Sequence, residues 1–343
     1  MHKRHITLKD IARIAGVSTA TASLALSGDP RVNVKTRQTV EEVARRLQYV
    51  PNEIGRSLRA KKTETIALIF PNTPHNAFTH PYFVQLLEGI SEVLVQHSFH
   101  LLVSTSHNET DESAAYDKIL RNRRADGIIL WPASIKDRNI SKIVESGFPI
   151  VYLGKWHHDE IFTVERNEQG GARLAVEHLL KLGRNRIAHI SGPLDFQVSI
   201  DRLEGYRQAL ADRKLIYDPA LVVESDFTLE GGAAAVRKLA EHGVAYDAMF
   251  AANDLMAIGA MRELQAAGRS VPRDVAIVGC DNIEMASLMT PTLTTISHPL
   301  RLIGNLAAEK LIAVLNRQEV DEMRTVVPTQ LIVRESCGGQ ATS

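Results

Sequence analysis

Two carboxylates and a guanidinium, at Asp254, Asp281 and Arg202, each lie at or just after an expected strand end or helix start and could hold a small polar molecule. Carboxylates accept from paired hydroxyls, and a guanidinium donates in a fixed fork to ring and hydroxyl oxygens, so the set fits a polyol. The two aspartates could equally form the acid/base pair of a glycosidase, and residue type alone does not separate hydrolysis from binding. Asp254 also reads as the N-cap of a helix, and Arg202 as a surface ion pair. Tyr82, Phe83 and Trp131 offer flat faces for stacking on a sugar or base, although Phe83 reads as core as well. His80 and Ser104 add polar groups.

Short apolar runs alternating with amphipathic stretches must position these groups. Strands are expected at Ile66–Phe70, His100–Ser104, Gly127–Trp131 and Ile150–Gly154, with helices at Tyr82–His97, Glu112–Asn122 and Asn139–Ser146. The rhythm repeats with strands near Ile187–Ser191, Leu221–Glu224, Ala248–Ala251 and Val275–Gly279 and helices Glu168–Leu182, Arg202–Arg213, Glu230–His242 and Asp254–Ala267. Such alternation gives parallel sheets covered by helices on both faces, and two half-sets give two similar lobes. Ligands in open α/β sheets bind at the carboxyl ends of strands, so a cleft between the lobes is the expected site.

The first sixty residues differ in kind. The run from Ile6 to Leu26 reads as two short helices joined by a tight turn at Gly16, with Leu8, Ile11, Ile14 and Ala15 on an apolar face of the first and Ser18 capping the second. A helix-turn-helix places its second helix in the DNA major groove. Asn33 is a candidate cap for a third helix bearing Val40, Val43, Ala44 and Leu47, and Pro51 ends that element. Residues 1–62 carry 13 Lys and Arg against 5 acids, whereas the whole chain has 40 of each. A net charge of zero therefore hides a basic head on an acidic body, the footprint of phosphate contact.

The run Thr7, Asp10, Ile11, Ala12, Ala15, Gly16, Val17, Ser18, followed by Thr21, Ser23, Tyr49, Pro51, Asn52 and Leu58, resembles the DNA-binding head of the lactose-repressor (LacI/GalR) family of bacterial transcription regulators. Later segments, including Arg202-Leu203-Glu204-Gly205-Tyr206, Ala252-Asn253-Asp254 and Gly279-Cys280-Asp281-Asn282, look like landmarks of the same family. The resemblance implies an all-α helix-turn-helix head (1–50), a hinge helix or linker (51–63) and a two-lobed α/β body like a periplasmic binding protein (64–336). Lobe one would hold 64–160 plus 292–325, and lobe two 161–291 plus 326–336, with crossovers near 161, 291 and 325. It implies a homodimer on a pseudo-palindromic double-stranded operator. Thr19, Ala20 and Leu24 would stand at base-reading positions, with Thr7, Ser18, Thr21, Ser23, Asn33, Tyr49, Asn52, Gly55 and Arg56 supporting DNA contact. Leu58 would be an apolar wedge in the minor groove. Arg202, Asp254 and Asp281 fall where relatives contact effector.

Four departures bear on specificity. Leu24 stands where relatives often have Arg or His, and a leucine touches a thymine methyl at most. Gly55 replaces a usual Ala, at about 1 kcal/mol of helix propensity, so the hinge is expected to fold only on the operator. Arg166 stands where many relatives have Asp, and Lys155 follows Gly154 where many have Asp-Arg.

No G-x-S-x-G, Walker A, H-E-x-x-H or G-x-G-x-x-G is present, so an enzyme is not expected. Cys280 and Cys337 have no metal-ligand spacing, and neither a metal nor a cofactor is expected. The start of the chain has no apolar segment of the secretory kind, and no run reaches a membrane span, so a cytoplasmic protein is expected. The reading is a repressor controlled by a small molecule in the cleft, a sugar first. A nucleobase or nucleoside is the alternative, and a sugar-acting enzyme or transport binding protein the remote one.

Overall fold

The computed structural model describes residues 6–49, 62–70, 82–105, 109–132, 134–137, 139–156 and 160–339. The chain divides into two units, Met1–Thr63 and Glu64–Ser343. Asn52, Gly55, Arg56, Leu58 and the expected hinge as far as residue 61, together with His80, lie outside the described residues; of Tyr82 only the backbone is described.

The first unit has three helices, α1 (Leu8–Ala15), α2 (Thr19–Leu26) and α3 (Val34–Arg46). At the start of α1 the Thr7 amide donates to Asp10 Oδ2 at 3.0 Å, and Gly16 ends the helix at φ 68°, a left-handed position that glycine adopts without strain. Ser18 Oγ accepts from the Thr21 amide at 3.0 Å, and Asn33 Oδ1 from the Thr36 amide at 2.8 Å, so both expected caps are formed. Ile11, Ala12, Ala22, Ala25, Val40, Val43 and Ala44 make the core. Small alanines on α2 let three short helices pack closely. Ile14, expected on the inner face, is 43% exposed, because Ala12 takes the inward position beside Ile11.

The second unit runs β1 (Thr65–Phe70), α4 (Tyr82–Gln96), β2 (His100–Thr105), α5 (Glu109–Asn122), β3 (Gly127–Leu130), α6 (Asn139–Glu145), β4 (Ile150–Tyr152), β5 (Phe162–Arg166), α7 (Glu168–Lys181), β6 (Ile187–Ser191), α8 (Gln197–Asp212), β7 (Val222–Glu224), α9 (Leu229–Glu241), β8 (Ala248–Ala251), α10 (Asp254–Ala266), β9 (Ala276–Cys280), α11 (Met285–Leu288), β10 (Thr294–Ser297), α12 (Leu300–Leu315), β11 (Arg324–Val327) and β12 (Gln330–Ile332). Two six-stranded sheets result, ordered β11-β5-β4-β3-β1-β2 and β12-β10-β9-β8-β6-β7. Every pairing is parallel except β10 with β12.

Buried strands of a parallel sheet read as continuous apolar runs because both faces are covered. In β1, Ile66, Leu68 and Phe70 face a core with residues of α4 and α12, while Ala67 and Ile69 face one with residues of α5 and α6. The second sheet is layered likewise, with α9 and α10 on one face and α7 and α8 on the other. Gly232 of α9 and Gly259 of α10 permit a close crossing: a Cβ on Gly259 would strike the Leu229 carbonyl, and one on Gly232 the Met256 backbone.

The sheets correct the expected lobe boundaries. β5 belongs to the first sheet, so the first crossover falls after Arg166 rather than near 161. β10 belongs to the second, moving the second crossover from 291 to His298 and Pro299. β11 closes the first sheet as far as Val327, moving the third from 325 to Pro328 and Thr329. The reason is pairing: β5 joins β4 to β11, and β10 joins β9 to β12, so each strand completes the sheet it abuts.

Candidate functional site

On the head, Thr19 and Ala20 at the start of α2 are exposed, as a surface that reads base edges requires. Thr7, Ser18 and Asn33 are exposed as well, while Thr21 and Ser23 are half-buried. Leu24 and Tyr49 differ from a simple contact reading: both are half-buried and pack against the three-helix core. Leu24 thus divides between core and surface, leaving Thr19 and Ala20 as the more open positions.

In the second unit the carboxyl ends of β5, β9 and β10, with the start of α7 and the first half of α8, converge on a buried polar cluster. Arg202 of α8 is 3% exposed. Its Nε and Nη2 both lie 2.8 Å from Glu168 Oε2, its Nη1 donates to the Ala252 carbonyl, and its Nη2 is 3.6 Å from Asp281 Oδ1. Asp281 follows β9 with φ 113°, a conformation unfavourable for a side-chain-bearing residue. Its amide donates to the Ile296 carbonyl at 2.8 Å, which holds the turn. Burial raises the Asp281 carboxyl to about 7 against the opposing pull of Arg202.

Asp254 is a correction. The helix cap is Asn253, whose Oδ1 accepts from the Met256 amide at 2.9 Å. Asp254 is wholly buried, accepting from Thr295 Oγ1 at 2.5 Å through one oxygen and from the Ile283 amide at 2.9 Å through the other. Burial, then the charge of Asp281, pushes its carboxyl well above the usual range. It braces the loop after Asp281 from inside the lobe and does not present an oxygen to the cleft.

Two residues that the sequence reading did not single out, Glu168 and His298, complete the cluster with Arg166 and Cys280. Glu168, the first residue of α7, pairs through Oε1 with Arg166 Nε at 2.8 Å. Burial pushes its carboxyl up, but Arg166, Arg202 and His298 together overcome this and hold it at about 2. His298 Nε2 lies 3.5 Å from Glu168 Oε2 and 3.3 Å from Cys280 Sγ; burial depresses the ring to about 3, so it is neutral. Glu168, Cys280 and His298 could each direct one ligand atom at a shared point, within 4.8 Å of one another. The carboxylate of that trio already faces two guanidiniums, which makes ion pairing within the protein its evident role.

Aromatic groups gather just past strand ends in both lobes. In lobe one Trp131, just past β3, meets Phe83 edge-on at 5.0 Å and Phe70 at 5.8 Å, with the Arg166 guanidinium 5.3 Å from its ring centroid. Phe83 is thereby committed to packing, the plainer of its two readings. Ser104 is half-buried near the carboxyl end of the edge strand β2, where the cleft was expected. In lobe two Phe227, just past β7, has φ 64°, and its ring covers Gly192 so closely that a Cβ there would collide with it. Phe196 meets it edge-on at 6.5 Å. A phenylalanine held at positive φ is uncommon, and such strain gathers at ligand sites.

The lobes touch at the cleft rim. Ser134 forms an isolated antiparallel bridge with Phe196, the Ile135 amide donates to the Asp195 carbonyl at 2.8 Å, and Lys155 Nζ lies 3.9 Å from Asp201. These contacts join loops of the two lobes and would be broken by a change of lobe angle. Among the described residues no helix is long and apolar enough to cross a membrane.

Residues 7–52 match the family described as bacterial regulatory proteins, lacI family, and residues 176–337 match a periplasmic binding protein-like domain. The chain is 34% identical to the HTH-type transcriptional regulator CelR of Thermobifida fusca, over 97% of this chain and 99% of that one. The chain belongs to the LacI family. Among solved structures this LacI-family protein is similar to a CelR–cellobiose complex, with a TM-score of 0.76 and 33% identity over 96% of this chain and 99% of that one. It is also similar to a lac repressor dimer bound to operator and the anti-inducer ONPF, with a TM-score of 0.84 and 28% identity over 97% and 99%. A LacI-family chain with both units is a DNA-binding transcriptional regulator, and its relatives are regulators rather than enzymes.

Proposed function

We propose that this chain is a cytoplasmic homodimeric repressor of carbohydrate-utilisation genes, whose hold on a pseudo-palindromic operator is set by a sugar in the cleft between its lobes. The observation that carries the reading is Arg202, buried and fixed on one edge by Glu168, with Asp281 beside it, Trp131 just past β3 in lobe one and Phe227 just past β7 in lobe two. A guanidinium has five N–H donors, and with four facing Glu168, Asp281 and Ala252 one is left for a ring or hydroxyl oxygen. Asp281 accepts from, or when protonated donates to, a sugar hydroxyl. The aromatic faces suit the apolar face of a pyranose. The cellobiose named with CelR and the dimer named with the lac repressor support the ligand class and the assembly. An effector acts by preferring one lobe arrangement, because a ligand shifts only the equilibrium whose states it binds unequally.

The test is a thermal-shift screen of mono- and disaccharides alongside nucleosides, followed by operator binding with and without each hit. A sugar hit that changes operator affinity is expected. Arg202→Ala is expected to abolish the shift, with affinity at least about tenfold weaker, as for loss of charged hydrogen bonds. A response to nucleosides alone would replace the sugar with a base, and unaltered affinity in Arg202→Ala would displace the site.

A further inference from the structure

We propose that Glu168 is a positioning residue that sets the plane of the Arg202 guanidinium and ties it to two of the three chain crossovers between the lobes. Its functional weight rests on the effector reading of Arg202; its geometry does not.

Glu168 is the first residue of α7, two positions beyond the end of β5, so it starts lobe two just after the first crossover. One of its oxygens, Oε2, takes both Nε and Nη2 of Arg202 at 2.8 Å. Two contacts from one edge of a planar fork fix its orientation as well as its position. The other oxygen, Oε1, takes Arg166 at 2.8 Å, and Arg166 is the last residue of β5, in lobe one's sheet. His298 lies where the chain leaves β10 for α12, at the second crossover, with Nε2 3.5 Å from Oε2. A single buried carboxylate therefore faces the strand that ends lobe one, the turn that returns to it, and the arginine at the cleft. Any rotation of the lobes that moves β5 or His298 relative to α8 must lengthen one of these contacts or carry Arg202 with it. Conversely, a ligand that draws Arg202 toward its oxygens pulls on both crossovers through one group. Lobe angle and Arg202 orientation are one coordinate here, linked by Glu168.

Arg166 and Arg202 both face Glu168, and the two guanidiniums would repel one another without an acid between them. Glu168 is that acid, and it lies on the other side of the crossover.

The test uses the full-length protein. In perdeuterated material carrying 15N-arginine, the Arg202 Nε–H signal is identified by its loss in Arg202→Lys. Spin labels at Lys118→Cys in α5 and Lys238→Cys in α9, both exposed, report the distance between lobes without any ligand, the native Cys280 and Cys337 being buried. In Glu168→Ala the Arg202 signal is expected to broaden or exchange away and the inter-lobe distribution to widen. In Glu168→Gln, which keeps the shape but not the charge, both changes are expected in lesser degree. Cellobiose is the binding probe, and about tenfold weaker affinity is expected in Glu168→Ala.

A persistent, protected Arg202 signal in Glu168→Ala overturns the proposal, as does a lost signal with an unchanged inter-lobe distribution. Should the alanine variant not fold, wild-type behaviour of both readouts in Glu168→Gln overturns it equally. If both readouts change while neither cellobiose nor any other sugar binds the wild type, the positioning role stands and the effector reading falls.

Discussion

At the scale of single residues, Asp281 and Glu168 are carboxylates a few ångströms from the same guanidinium, with opposite electrostatic fates. Burial leaves Asp281 holding its proton up to about pH 7, whereas Glu168, flanked by two guanidiniums, loses its proton near pH 2. A carboxyl whose folded value is raised stabilises the fold fully below its unfolded value near 4, and that contribution disappears as pH rises through 7. Glu168 works the other way: its contribution is present above about 4.5 and is lost as pH falls toward 2. Asp281→Asn removes the first effect and also relieves Asp254 of the charge beside it. Between pH 5 and pH 8 the variant is expected to gain stability relative to the wild type, on the order of 2 kcal/mol. Denaturant unfolding at the two pH values checks this, and a difference independent of pH would show that Asp281 titrates like an ordinary aspartate.

At the scale of elements, helix crossings and strand membership hold the site in shape. Gly259 lets α10 pass against the Leu229 carbonyl of α9, and α10 carries Asp254, which braces the loop after Asp281. Gly259→Ala is expected to cost about 1–3 kcal/mol of stability through overpacking against backbone that has little room to move. Thermal unfolding tests it, and an unchanged midpoint would mean that the crossing opens at little expense. Much of this level was legible in the sequence. Period and caps located α1, α2 and α3, since Gly16, Ser18 and Asn33 act through bonds to neighbours in the chain. The apolar runs of β1, β3, β6 and β8 were equally plain. The crossovers were not, because Phe162–Arg166 and Thr294–Ser297 read alike whichever sheet they join; only pairing with β11 and β12 decides. Glu168 was invisible for a related reason. In sequence it is an ordinary first-turn acid, and its partners Arg202 and His298 are distant along the chain. Arg202 and Asp281 were found because their family positions were recognised. Asp254 was overread, since a buried brace and a ligand contact look the same until its two oxygens are traced to Ile283 and Thr295.

At the scale of the whole molecule, charge is segregated along the chain, with the basic excess in the first 62 residues and the acidic excess in the remainder. Operator binding should therefore be dominated by phosphate contacts of the head, and affinity should fall by about three orders of magnitude between roughly 50 and 200 mM salt. A filter-binding or anisotropy titration measures the slope, and a flat response would contradict the electrostatic role of the head. The three crossovers also govern how this protein comes into being. Neither sheet consists of consecutive strands: β11, an edge of the first, and β12, an edge of the second, are the last two strands among the described residues. During synthesis from the N-terminus, lobe one cannot close when its first five strands have emerged, nor lobe two when its first five have. Both wait for the same final stretch of chain. The three-helix head, complete by Arg46, has no such delay. A nascent repressor would therefore carry its DNA-reading surface before it has a finished cleft with which to sense anything.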